Sequence, residues 1–358
     1  MNFLFFFVHP AKFHVFKHTI DRLMAEGHHV DVVIISKDVL PQLVEKTNWN
    51  CTNIFPEGRR GETNSKIRIF SSALKNFFKT IYRLRRYIKS RGVKYDLFVT
   101  DDCLSVVGRF SGVHVLFFLD NDVAMIPECF PLFWSSTKIF APRATDLGRF
   151  AGKKISFNGY KELCYLHPAY FTADTSVPQK YGLVPRKYVL IRTVSFSATH
   201  DAGKEGVSNS KLSLLIEVVK KHGFQPVISS ERPLKEEFEP YRFKGHPDEF
   251  IHVLASAAMY FGDSQTVNSE AIVLGVPAIC CNDFVNIIGV MREQEEKYAV
   301  TYGFETKDYE RALAKVDELL DMPDLQEVWK SRWQNMIGQV DDVTQKLYST
   351  IIKMGTNK

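Results

Sequence analysis

The sequence lacks what several classes of protein require. Across its 358 residues no apolar run approaches the ~18 residues of a membrane-spanning helix, which excludes a helical integral membrane protein. The six cysteines (Cys51, Cys103, Cys129, Cys164, Cys280, Cys281) form no CxxC pair and no framework spacing. They read as buried free thiols of a reducing cytosol. Zinc-ligand spacing, an RNP-like aromatic motif and a helix-turn-helix are also absent, so no nucleic-acid partner is expected. There is no short-period repeat and no low-complexity tract. The opening MNFLFFFV has no basic flank, only about seven apolar residues and no small-residue cleavage site, so it reads as a buried first strand.

What is present is core material. Hydrophobic residues make up 45%, aromatics 13% and charges 24%, enough for two cores in a chain roughly twice the ~150-residue modal domain. Net charge is only +5 but unevenly spread. Residues 1–160 hold 23 basic against 14 acidic side chains, and the remainder 23 against 27. Between Arg59 and Lys94 lie twelve Lys/Arg against one acid, Glu62. In the same stretch Ile67, Phe70, Leu74, Phe77, Phe78, Ile81, Leu84 and Ile88 recur at helical spacing, giving a core-facing stripe and a basic remainder. That remainder is either a solvated face or a surface drawn to anionic lipid.

Apolar runs alternate with helix-periodic stretches. Strands are expected at 2–8, 30–35, 95–100 and 113–119, with helices after the first and over 66–91. After a polar, turn-rich stretch at 140–187 the pattern restarts, with strands at 187–194, 226–230, 259–264 and 276–281 and helices at 209–222, 248–257 and 267–274. A helical stretch over 323–352 closes the chain. Unalternating Val, Leu and Phe runs indicate parallel strands covered on both faces. The expected fold is α/β, two Rossmann-like domains facing across a cleft, spanning 1–165 and 166–322, with a C-terminal segment 323–358 packing back on the first.

The strongest local signal is Gly262-Asp263-Ser264-Gln265-Thr266, running through Glu270 to Gly275-Val276-Pro277. It sits where a strand ends and a helix begins, so the N–H groups of 264–267 and the Ser264 and Thr266 hydroxyls can cradle a phosphate. Glu270, one to two turns on, can accept hydrogen bonds from vicinal ribose hydroxyls. An ordinary helix N-cap accounts for the pattern equally well.

From His9 to about Phe304 the chain resembles an uncharacterised bacterial and archaeal family of predicted GT-B glycosyltransferases associated with surface polysaccharide. The resemblance rests on residues 9–17 (HPAKFHVFK), 157–163 (FNGYKEL), 166–168 (LHP), 195–201 (SFSATHD), 228–231 (ISSE), the GDSQT stretch and Asn282-Asp283. More distantly, 264–277 is similar to the nucleotide-diphosphate site shared with the non-hydrolysing UDP-N-acetylglucosamine 2-epimerases. There a serine at the place of Ser264 meets phosphate and a glutamate at the place of Glu270 meets ribose. The epimerases carry a glycine pair where this chain has Gln265-Thr266. They also carry Arg-Pro followed by a lysine where it has His9-Pro10 and His14. An imidazole can act as base toward a sugar hydroxyl, which tilts the reading toward transfer. A capping or packing histidine is the alternative.

Asp101-Asp102 and Asp120-Asn121-Asp122 close successive parallel strands, where open α/β sheets place ligands. They can supply a base or cap helices. Asp120 and Asp122 also have DxD spacing, but the resemblance implies no bound metal. In the second half Arg192, Ser195, His200, Lys204, Glu231 and His246 gather near one sheet edge. Arg192 or Lys204 can neutralise the leaving phosphate, 195–204 has the composition of a closing flap, and His246 stands where the resemblance places the nucleobase. The expected donor is a nucleotide-diphosphate sugar, with no permanently bound cofactor, and the acceptor a glycan or lipid-linked molecule. The expected setting is cytoplasmic, peripheral on the inner face of the cell membrane through 59–94. A sugar-nucleotide 2-epimerase and a non-catalytic nucleotide-sugar binding subunit are the alternatives.

Overall fold

The computed structural model describes residues 1–59, 66–194, 207–285 and 287–356. They form two compact units, residues 1–165 with 341–358, and residues 166–340.

Unit 1 runs β1 (Asn2–Phe7), α1 (Pro10–Ala25), β2 (His29–Ile35), α2 (Leu40–Glu45), β3 (Asn50–Phe55), α3 (Lys66–Arg91), β4 (Leu97–Thr100), α4 (Leu104–Ser111), β5 (Val115–Phe118), α5 (Phe130–Ser135), β6 (Lys138–Pro142), β7 (Lys154–Phe157) and α6 (Leu163–Leu166). Its strands form one parallel sheet in the order β3-β2-β1-β4-β5-β6-β7. β1 is central, and Phe3 to Phe7 are all fully buried because helices cover both faces. The right-handed crossover rule puts α1 and α2 on one face and α3, α4 and α5 on the other, since the chain moves outward from β1 and then returns past it.

In α1, Pro10 supplies a preset first-turn φ, and His9 Nδ1 accepts the Ala11 N–H. Gly27 leaves the helix at φ +81°, which a side chain would strain. The far end of α3 is tied down by Arg91, which donates to the fully buried Asp31 of β2 at 2.9 Å.

Unit 2 runs α7 (Ser176–Lys180), β8 (Tyr188–Thr193), α8 (Asn209–Lys221), β9 (Gln225–Ser230), α9 (Phe250–Ser256), β10 (Met259–Gly262), α10 (Gln265–Val273), β11 (Ala278–Cys281), α11 (Gly289–Arg292), β12 (Thr301–Phe304), α12 (Tyr309–Asp321) and α13 (Leu325–Ile337). Its parallel sheet has the order β12-β11-β10-β8-β9. α14 (Val343–Thr356) belongs to unit 1, where Leu347 and Ile351 are buried and Thr344 Oγ1 donates to the Cys164 carbonyl. The closing helical stretch is therefore two helices, interrupted at 338–342, and only the second lies in unit 1.

Strand order reverses direction between β1 and β4 in unit 1, and between β8 and β10 in unit 2. Such switch points splay the crossover helices apart and open a crevice at the carboxyl ends of the strands. Among the described residues no helix is long and apolar enough to cross a membrane.

Candidate functional sites at the two switch points

In unit 2, β10 ends at Gly262, paired in register with Arg192 of β8. A Cβ on Gly262 would lie 2.7 Å from the Arg192 carbonyl oxygen and 2.4 Å from the Tyr260 hydroxyl. Because one obstacle is backbone, Gly262→Ala is expected to cost on the order of 1–3 kcal/mol by overpacking. A wild-type urea midpoint for this variant would refute the contact.

The next residue, Asp263, is buried and accepts the Val194 N–H at 2.8 Å and the Val207 N–H at 3.3 Å. Burial raises its carboxyl to about 6 against those two hydrogen bonds. Asp263 is thus a brace holding the chain leaving β8 and the chain entering α8. Its carbonyl accepts from Asn282 Nδ2 at 2.9 Å, so the loop is fixed from β11 as well.

Ser264 caps α10, its Oγ accepting the Val267 N–H at 3.4 Å. The Val267 amide, expected to face a phosphate, is therefore satisfied by the cap. The N–H groups of Gln265 and Thr266 sit in the first helical turn, where none has an intrahelical acceptor. Both residues are half-buried, as is Glu270 in the second turn.

Arg192 leans toward β9. It donates to Ser229 Oγ at 2.6 Å and pairs with Glu231 at 2.5 Å, and its guanidinium lies 5.8 Å from the Phe250 ring centre. Its Nε is buried with no acceptor among the described residues. The structure thus brings Arg192, Glu231, Ser264, Gln265 and Thr266 to one sheet edge. His246 is exposed and caps a short turn, its Nδ1 accepting the Asp248 N–H at 3.3 Å. Ser195, His200 and Lys204 lie outside the described residues.

Unit 1 carries a charge cluster at its own switch point. Asp120, following β5, accepts from Lys12 Nζ at 2.7 Å and Lys161 Nζ at 2.5 Å. Burial would raise this carboxyl, but the two ammonium groups hold it far below the ordinary range. Expected as a base, Asp120 is instead a fixed anion without useful basicity. Nor does it offer a DxD metal pair with Asp122, whose Oδ1 accepts the Asp146 N–H. Among the described residues no group of three His, Cys, Asp or Glu is placed to hold a metal ion.

Asp101, following β4, behaves in the opposite way. Burial lifts its carboxyl to about 7; Lys12 opposes the rise, while Asp102 and Asp120 add to it. Its Oδ1 is buried with no hydrogen-bond partner among the described residues. The adjacent Asp102 is held as a carboxylate by Arg59, whose two terminal nitrogens donate at 2.8 and 2.9 Å. Two neighbouring aspartates of identical type are thereby given different protonation by their partners alone. A third carboxyl, Glu162, is buried 3.6 Å from Lys161 and also raised by burial.

The His14 ring lies 5.3 Å from both Phe13 and Tyr165. Desolvation, then Lys37, Lys12 and Lys161, lower the His9 imidazole to about 4, consistent with the unprotonated Nδ1 that caps α1.

Lys12, Lys161 and Glu162 were not singled out from sequence, although all three fall inside the stretches that carry the family resemblance. A readable signal existed for Lys12. It shares the 12, 16, 19, 23 helical face with Phe16, Thr19 and Leu23, all buried, and a lysine on a core-facing stripe needs a buried partner.

The fold is that of GT-B glycosyltransferases and UDP-N-acetylglucosamine 2-epimerases. The crystal structure of the kitacinnamycin glycotransferase matches with TM-score 0.66 at 13% identity, covering 99% of both chains. The UDP-GlcNAc 2-epimerase of Neisseria meningitidis bound to UDP-GlcNAc matches with TM-score 0.66, 13% identity and 99% of both chains. Os79 from O. sativa, in complex with UDP and deoxynivalenol-3-glucoside, matches with TM-score 0.63 at 13% identity, over 97% of this chain and 99% of that one. No curated protein sequence matches the chain. A family model does match, over residues 7–352, and the chain therefore belongs to DUF354, a family described as a protein of unknown function.

Proposed function

We propose that the protein is a GT-B glycosyltransferase that moves a sugar from a nucleoside-diphosphate donor to the hydroxyl of a glycan or lipid-linked acceptor. The observation that carries this reading is the edge of unit 2's sheet, where the strand leading into the α10 N-terminus is paired in register with the strand carrying Arg192. Both favour a diphosphate, the helix through its dipole and open amides, the arginine through its fork. Arg192 already holds one anionic group, the Glu231 carboxylate, and its Nε is a further donor that a phosphate oxygen can take. Glu270 holds the ribose, and Ser195, His200 and Lys204 belong to the same donor site. His246 serves the nucleobase end. The fold relatives crystallised with UDP or UDP-GlcNAc make uridine nucleotides the first probes.

Asp101 is assigned as the base. It is a half-buried carboxyl with a pKa of about 7, and its Oδ1 has no hydrogen-bond partner among the described residues, which suits removal of a proton from an acceptor hydroxyl near neutrality. His14, whose ring lies beside Phe13 and Tyr165, is the other candidate base.

A second reading, epimerisation of a UDP-sugar, is favoured by one specific feature. Asp101 and Glu162 are two raised carboxyls in one unit, and an epimerase needs an acid and a base. UDP-, GDP-, CMP- and dTDP-sugars, followed by NMR with and without a lipid-linked acceptor, separate the two. Donor consumption that requires acceptor supports transfer; isomerised sugar nucleotide without acceptor overturns it.

For the donor site, Ser264→Ala removes both a phosphate ligand and the cap on α10. The expected loss is about 1 kcal/mol of stability together with at least tenfold weaker UDP binding by calorimetry. Unchanged UDP affinity in Ser264→Ala and Glu270→Ala alike would remove the donor assignment.

A further inference from the structure

The face of unit 1 covered by α3, α4 and α5 has an outer surface unlike the rest of the molecule. α4 packs beside α3, and α5 beside α4. Leu74, Phe78 and Tyr82 on α3, Phe110 on α4, and Phe130 and Trp134 on α5 are 40–69% exposed. Among the described residues every exposed Phe, Tyr and Trp lies on these three helices. Leu74, Phe78 and Tyr82 follow at intervals of four, so they project from one side of α3.

The charge on that surface is of one sign. α3, α4 and α5 contain ten Lys/Arg and no Asp or Glu. Lys79 and Arg83 are paired with Glu57, and Arg91 with the buried Asp31. Lys75, Arg85, Arg86 and Lys89 are exposed, make no ion pair among the described residues, and fall on the same arc of α3 as the apolar three. Arg109 lies over the Trp134 ring at 4.7 Å, and Arg149 over Phe130 at 5.4 Å.

We infer that this surface docks on a bilayer containing anionic lipid. Six large apolar side chains in water are unfavourable unless something covers them, and a surface of this size marks an interaction site. The unpaired cations restrict what covers it. A second copy of the same face would bring like charges together, whereas nucleic acid would leave Leu74 and Phe110 without a counterpart. An anionic bilayer satisfies both features. Lys and Arg meet headgroups at the negative surface potential, while Phe, Tyr and Trp enter the interfacial zone that such rings favour. Attachment is peripheral, parallel to α3, and needs no spanning segment.

The inference is independent of the proposed activity, and its test uses no substrate. The full chain is sedimented with phosphatidylcholine vesicles, with and without 30 mol% phosphatidylglycerol, at low and high NaCl. Binding at least tenfold stronger with phosphatidylglycerol, and weakened by salt, is expected. Trp134 emission should shift to the blue on binding, and Trp134→Phe should abolish most of that shift. Two variant sets separate the contributions without touching the core. Leu74→Ser with Phe78→Ser and Tyr82→Ser, and separately Lys75→Gln, Arg85→Gln, Arg86→Gln and Lys89→Gln, should each lower vesicle affinity at least tenfold while thermal melts stay close to wild type. Binding indifferent to anionic lipid and salt, wild-type affinity in both sets, or tighter binding to a DNA duplex at the same salt would each overturn the inference.

Discussion

Replacing Asp101 by asparagine is expected to lower turnover by about 10²–10⁴-fold, the range of a positioned general base, without lowering stability. The wild-type rate should rise with pH through an apparent pKa near 7, because only the ionised carboxyl accepts the acceptor's proton. Stability should run the other way. The folded carboxyl holds its proton up to about 7, whereas the unfolded one releases it near 3.8, the ordinary value of an aspartate. Between those two pH values the native state binds more protons, so this residue's contribution to stability falls as pH rises. Asparagine keeps the shape and cannot ionise, so Asp101→Asn should melt at the same or a higher temperature than wild type at pH 8. Carboxyl ¹³C NMR of the free protein offers a check that needs no substrate: one aspartate signal titrating near 7 should vanish in the variant. Full activity in Asp101→Asn, or no such signal, removes Asp101 from the chemistry.

The interior of both sheets was legible in the sequence because central parallel strands are covered on both faces and read as unbroken apolar runs. β1, β4, β5, β8, β10 and β11 fall within the stretches so read, and β2 begins one residue before its own. Three of the four edges were not. β3 (NCTNIF), β7 (KISF) and β12 (TYGF) terminate their sheets, and each carries polar or half-exposed residues that dilute the apolar signal, whereas the fourth edge, β9 (QPVISS), has a buried middle and was read from Pro226 onward. β6 is interior but short and ends on Pro142. The donor edge was legible because it is built from consecutive residues at a strand-to-helix turn, with Gly262 forced by close packing. The unit 1 cluster was only half legible. Its aspartates stand at strand ends, but Lys12 and Lys161 come from opposite ends of unit 1's first segment, 149 positions apart. Sequence supplied four acids of similar promise, Asp101, Asp102, Asp120 and Asp122. Only the placement of the cations separates Asp101, which can take a proton, from Asp102 and Asp120, which are held as carboxylates.

That separation gives the second large expectation, a pair of opposite shifts. Asp120→Asn removes an anion that raises Asp101 and leaves Lys12 to act on it without a competitor, so the acid limb of the rate profile should move below 7. Lys12→Met removes the cation that opposes the rise, so the limb should move above 7. Both variants break a largely buried pairing, and such losses cost about 3–5 kcal/mol because a charge is left without its partner. Asp120→Asn should be the more severe, since it leaves two ammonium groups facing each other, with a melting temperature lower by on the order of 10 °C. The double variant should lose less than the sum, as expected for residues in direct contact. Shifts of the rate profile in the same direction would mean that Asp101 does not sense this cluster. A wild-type melting curve for Asp120→Asn would mean that the ammonium groups are solvated and do not hold the Asp120 carboxyl ionised.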